Sequence, residues 1–217
     1  MFAGVYNGSS AGPDTGARLS PVSLDLGPRP WTFLLDERPP APGRLRLVQA
    51  LVNTVNLETG KDVIDTPPGL VAWLDEFDLL PADAPVLESD VARARELREA
   101  LRLLVRRNAE PDIDATAAAQ TVSRVAAAGR ITVEFSAEGT ANLHPLDPGV
   151  DGSLAAVAAG AFEAMANGTW TRLRACMRCH WASYDRSRNM SSRWCSMRYC
   201  GNRTKTRAYR KRKDAAC

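Results

Sequence analysis

Four cysteines stand near the end of the chain as Cys176-x2-Cys179, fifteen intervening residues, then Cys195-x4-Cys200. Two close pairs at this separation have the form of a four-thiolate zinc site. Each tight loop presents two sulfurs, and an ion about 2.3 Å from each sulfur closes the longer loop between the pairs. Binding also supplies folding free energy to a segment whose large apolar residues over 176–200 are Met177, Trp181, Tyr184, Met190, Trp194, Met197 and Tyr199. A redox C-x-x-C pair is the second reading, but it calls for a βαβ setting that the pattern lacks. A disulfide framework fits poorly with five cysteines. Four thiolates leave no open coordination position, so a hydrolytic metal is not expected. His180 is a substitute ligand in principle, with a surface or packing role the plainer expectation. Cys217 reads as a free terminal thiol.

The cysteines sit among cations. Residues 170–217 carry 14 Lys/Arg against 2 Asp/Glu, whereas 1–169 carry 14 against 23, so a net charge of +3 hides a basic tail on an acidic body. Such asymmetry implies a polyanionic partner for the tail, the alternative being a solvated charge run. After Cys200, Arg203, Arg207 and Arg210 recur on one helical face, and Lys205, Lys211 and Arg212 widen it. Gly201 as a turn and Asn202 as a cap are expected to launch this basic helix. With Arg188 and Arg193 these six residues are the candidate nucleic-acid contacts, most of them to phosphate. Asp185 is the one acid of 170–213. It is expected to be an ion-pair or turn acceptor, able to orient Arg188 or Arg193. Trp194 is expected to pack between hairpin and helix.

Other elements must hold these groups in place. Residues 1–43 form a Pro/Gly-rich leader ending in "RPPAPG", with one possible strand at 31–35. From 44 to 168 the pattern is helical with a hairpin. Leu45, Val48, Leu51, Val52 and Val55 recur at helical spacing. Leu70, Trp73, Leu74 and Phe77 follow a "TPP" start. A third helix runs from Ser89 or Asp90 to about Asn108, striped by Val91, Ala94, Leu97, Leu101, Leu104 and Val105. A fourth runs from Asp112 or Asp114 to Ala128 and stops at Gly129. Ile131, Val133 and Phe135 alternate with polar residues, Glu138-Gly139 is a turn, and Ala141 and Leu143 alternate again, giving a hairpin over 130–145. A fifth helix spans Ser153–Asn167 with Leu154, Val157, Ala161, Phe162 and Met165 inward and Gly168 beyond its end. The fold class is mainly α with a small β-hairpin (α+β), followed by a small zinc finger at 170–217. Asn53 and Asn56 of "LVNTVN" lie among apolar neighbours, where Asn53 is expected to bond backbone or, alternatively, to line a ligand site.

The stretch "CHWASYDRSRNMSSRWCSMRYCGNRTKTRAYRKR" resembles the CGNR-type zinc finger in its "DRSRN", "RWCSM" and "CGNR" segments. "LVNTVN" (51–56) and "LVAWLDEFDLL" (70–80) resemble the ABATE domain that precedes this finger in bacterial proteins. The resemblance implies a bacterial transcription regulator, sometimes described as stress-induced, with an α-rich N-terminal domain and a DNA-binding finger. By motif, Cys176, Cys179, Cys195 and Cys200 are its zinc ligands, and Gly201, Asn202 and Arg203 complete the signature. Two departures stand out: Ser183-Tyr184 where the family tends to have an aromatic pair, and Ser192 where it has a second arginine.

The leading expectation is a DNA-binding regulator with one structural zinc ion, whose N-terminal domain dimerises or senses a signal, including an unknown small-molecule effector. The alternatives are an RNA-binding module and a zinc-stabilised protein-interaction adaptor. An enzyme is not expected: the chain has no glycine-rich phosphate loop, HExxH or G-x-S-x-G, and it has two histidines. No apolar run approaches the ~18–20 residues of a membrane span. The start reads as no secretory signal, so the expected location is the cytoplasm, on the nucleoid.

Overall fold

The computed structural model describes residues 40–81 and 83–207, all within one compact unit. The strand expected at 31–35 lies outside the described residues. The helical part opens with α1 (Leu45–Val52), whose Leu45, Val48, Leu51 and Val52 are buried. Val55, expected on the same stripe, falls beyond the helix. It pairs with Asp62 in an isolated β-bridge that closes a turn. α2 (Pro67–Glu76) starts where Thr66 Oγ1 accepts from Gly69 N at 3.3 Å and Pro67 supplies its fixed φ. Its Leu70, Trp73 and Leu74 are buried, and the Trp73 and Phe77 rings meet at 5.1 Å.

The long helix α3 (Glu88–Arg107) places Glu88 and Asp90 in its first turn and Arg106 and Arg107 in its last, each sign opposing the helix dipole. Its apolar stripe of Val91, Ala94, Leu97, Leu101 and Val105 is closed to solvent. α4 (Thr116–Ala128) packs against α3 and α5. α4 stops at Gly129 as expected, and the next residue, Arg130, takes the left-handed conformation, at φ 51°. The glycine is used for proximity, because a Cβ there would lie 2.6 Å from Asp151 O.

β1 (Ile131–Phe135) and β2 (Ala141–Pro145) pair antiparallel, Val133 opposite Leu143 and Phe135 opposite Ala141. α5 (Val150–Ala166) then runs through the centre of the unit, packed on α1, α3, α4 and β2, and buries almost every residue up to Ala161. Its small side chains permit this, and at Gly160 a Cβ would come 2.7 Å from Arg44 O. Its last two turns depart from expectation. Phe162 and Met165 are 59% and 47% exposed rather than inward, because in these turns it is Ala161 and Ala164, each 2% exposed, that face the core. Gly168 takes the expected left-handed conformation, φ 76°. After a 3-10 turn, Trp170–Arg172, β3 (Leu173–Ala175) and β4 (Ala182–Tyr184) form a second antiparallel hairpin.

Candidate metal centre and basic face

The first cysteine pair caps the β3–β4 hairpin. Cys176 N donates to Trp181 O at 2.9 Å and His180 N to Cys176 O at 2.9 Å, while His180 takes φ 56°, so the chain folds back within one tight knuckle. The second pair flanks a helix start. Ser196 caps it through Oγ, which accepts from Arg198 N and Tyr199 N. The helix runs as a π-turn over Met197–Gly201 and as α-helix over 202–207. Gly201 and Asn202 therefore lie inside a helix already under way, and the basic helix starts at Ser196 rather than at an Asn202 cap. Met177 N donates to Arg193 O at 3.0 Å and joins the two knuckles.

This brings Cys176, Cys179, Cys195 and Cys200 together with all four sulfurs within 4.8 Å of one another, and the three pairs among Cys179, Cys195 and Cys200 are each at 3.6 Å. Disulfides are excluded at that separation, since bonded sulfurs stand about 2.05 Å apart. A tetrahedral ion about 2.3 Å from each sulfur sets them about 3.8 Å apart, so the cage fits zinc. Its electrostatics point the same way. Hydrogen bonds from neighbouring thiols, Cys179 first, pull Cys176 far below the ordinary thiol range. Cys179 is pushed up to about 12, chiefly by its bond to Cys176, and Cys195 is pushed up, first by the same neighbour. Thiols packed this closely cannot all ionise unless a cation stands among them. His180 is not among the clustered ligands, and its Nδ1 is buried without a partner. Cys217 lies outside the described residues.

Asp185 proves to be a turn acceptor. Its carboxylate receives Ser187 N at 2.8 Å and Ser192 N at 2.9 Å, tying both ends of the 185–192 loop. Burial pushes this carboxyl up, but those hydrogen bonds outweigh burial and hold it below the usual range. It orients neither Arg188 nor Arg193. Trp194 packs on the cysteine cluster.

The arginines divide by job. Arg172 donates to Asp185 O and Ser187 O, Arg174 to Met190 O and Arg186 to Pro40 O, all fixing loops. Arg193 Nε reaches Met177 Sδ at 3.1 Å, and its guanidinium lies 6.0 Å from the Trp194 ring centre. Arg188, Arg203, Lys205 and Arg207 are exposed on the loop and helix beside the cage. Arg210, Lys211 and Arg212 lie outside the described residues. Sequence reasoning passed over Arg178, which sits between the two ligands of the first knuckle and pairs with Glu58 at 3.2 Å.

The cage is attached to the helices by polar side chains. Asn53, just past α1, accepts Ala182 N at 2.8 Å and donates to Ala182 O at 2.9 Å, as a neighbouring strand would. This is the backbone-bonding role expected for it, directed at the finger. Buried Arg102 of α3 donates to Val52 O at 2.7 Å and His180 O at 3.4 Å. Asn108 donates to Trp170 O and Leu173 O.

Two family models match the chain. The ABATE model, described as "Putative stress-induced transcription regulator", matches residues 45–168, and the CGNR zinc finger model matches residues 172–213. None of the curated proteins matches it.

Proposed function

The chain belongs to the ABATE family and ends in a CGNR zinc finger holding one structural zinc ion, and from this premise we propose that it is a DNA-binding transcription regulator. One observation carries the reading. Lys205 and Arg207, with Arg188, stand exposed beside the cage, and none has a carboxylate partner among the described residues. Arginines of the helical part are spent differently: Arg93, Arg98, Arg102, Arg106 and Arg124 all meet Asp or Glu. Cations held rigid by a metal cage and left uncompensated suit a phosphate backbone.

In this reading Arg188, Arg193, Arg203, Lys205 and Arg207, continued by Arg210, Lys211 and Arg212, contact duplex DNA. The helical part dimerises or senses a signal, a small-molecule effector included, and exposed Phe135 and Phe162 are apolar area available to a second copy. The reading gives the cage a structural and not a catalytic role, since four thiolates leave no position at the metal for a substrate. The reading places the protein in the cytoplasm, on the nucleoid; no described helix is long and apolar enough to cross a membrane.

Titration of duplex binding against salt tests the proposal. Log affinity is expected to fall with log salt by about 0.9 per phosphate contact. Equal affinity at low and moderate salt contradicts it. Competition with structured RNA separates the RNA-binding alternative, which RNA outcompeting duplex DNA favours.

A further inference from the structure

The acidic helical part lays one carboxylate on the basic finger. Glu58 Oε1 stands 3.2 Å from Arg178 Nη2, and Glu58 Oε2 stands 3.9 Å from Arg203 Nη1. Among the described residues no other carboxylate side chain pairs with a finger arginine. The two guanidiniums come from different knuckles: Arg178 lies between Cys176 and Cys179, and Arg203 follows Cys200. Closure of the cage is what brings together two cations so far apart in sequence.

Glu58 is presented deliberately by its turn. Asn56 Oδ1 accepts Glu58 N at 2.9 Å and Thr59 N at 3.3 Å. The base of the turn is pinned by the Val55–Asp62 bridge and by buried Arg98, which reaches Asp62 at 2.7 Å and Thr54 Oγ1 at 3.1 Å. The ion pairs themselves are open to water: Arg178 is 34% exposed, Glu58 42% and Arg203 63%. Pairs so exposed add little to stability and exchange easily.

A guanidinium recognises a carboxylate and a phosphate with the same fork of donors. A carboxylate that gives one oxygen to each of two arginines therefore stands where two non-bridging oxygens of one phosphodiester would stand. We propose that Arg178 and Arg203 form a phosphate clamp, and that Glu58 occupies its seat until a nucleic-acid backbone displaces it. The proposal rests on the nucleic-acid reading above. It adds to that reading a contact residue, Arg178, and a competitor supplied by the chain itself. A backbone must bring further contacts, such as those to Lys205 and Arg207, to displace the carboxylate, so isolated phosphates and weak polyanions are resisted.

The test uses the full-length, zinc-loaded chain and its Glu58→Gln variant, with a labelled duplex of random sequence as probe. The variant is expected to bind about fivefold more tightly at low salt, with a log–log salt slope steeper by about one. Arg178→Ala in the Glu58→Gln background is expected to remove that gain, and to cost less when made in the wild type, where the clamp is already filled. Zinc content is expected to stay at one ion in each variant. If the wild type binds duplex and Glu58→Gln binds equally or more weakly, the clamp is overturned while the DNA reading stands. If neither binds duplex, that reading falls and a second arm decides the clamp: titration with inorganic phosphate, followed by the side-chain NMR signals of Arg178 and Arg203. Saturation at lower phosphate in Glu58→Gln supports the clamp; identical curves overturn it.

Discussion

In the helical part, Trp73, Leu70, Leu97, Leu101 and Leu154 are closed to solvent around α5, a core that needs no help to exclude water. From Cys176 to Arg207 the buried side chains are three cysteines, Ala182 and Asp185. Trp181 and Trp194 are only half buried against the sulfurs. One region is held by apolar area, the other by a cage, a capped turn and the carbonyls its own arginines bind. Their arginines differ accordingly. Arg98 and Arg102 are 3% and 6% exposed and meet carboxylates, whereas Arg188, Lys205 and Arg207 face water. The difference teaches that the body spends its buried arginines on carboxylates, whereas the finger spends some on carbonyls and leaves Arg188, Lys205 and Arg207 open to water.

Removing the metal should separate the two regions most widely. Structural zinc contributes about 10 kcal/mol or more to folding such a segment. After chelation, amides of 186–207 are expected to exchange rapidly while those of α1, α3 and α5 keep their protection. Simultaneous loss in both regions would break the comparison.

Arg98→Ala strikes the body alone. It strands Asp62, 8% exposed, without its closest cation, and should cost about 3–5 kcal/mol. Denaturant unfolding is expected to show that loss with zinc content unchanged. A cost near zero would mean that charge does not bind the body together.

Asn53→Ala probes the seam. It removes both Asn53 hydrogen bonds to Ala182, leaving Ala182 N unpaired and Ala182 O with Gln49 Nε2 at 3.4 Å, an expected cost of about 1–3 kcal/mol. Faster exchange at the Ala182 amide is the specific sign; protection equal to wild type would show that the two regions adhere without this residue.

Much of this was legible before any coordinates. The cage could be read because cysteine type and spacing alone define a ligand set, and the helices because their stripes repeat locally. The hairpin 131–145 announced itself through period and the Glu138-Gly139 turn. What escaped depended on partners far away in sequence. Asn53 and Ala182 are 129 residues apart, so the residue type spoke of backbone bonding without saying whose. Glu58 looked like any surface acid, because only the cage places Arg178 and Arg203 beside it. Gly201-Asn202 reads as ordinary turn chemistry, yet the π-turn from Met197 carries it inside a helix. Phe162 and Met165 are large and apolar in an alanine-rich helix, but the small Ala161 and Ala164 take the buried face, and apolar type alone does not tell one face from the other.

The central claim is that the metal-held finger is the nucleic-acid surface. Duplex affinity should therefore be measured across a salt series for the zinc-loaded chain, after chelation, and after zinc is restored. The predicted result is a steep salt slope with zinc, affinity and slope both strongly reduced on chelation, and recovery on reloading. Affinity and slope that stay the same with and without the metal would contradict it.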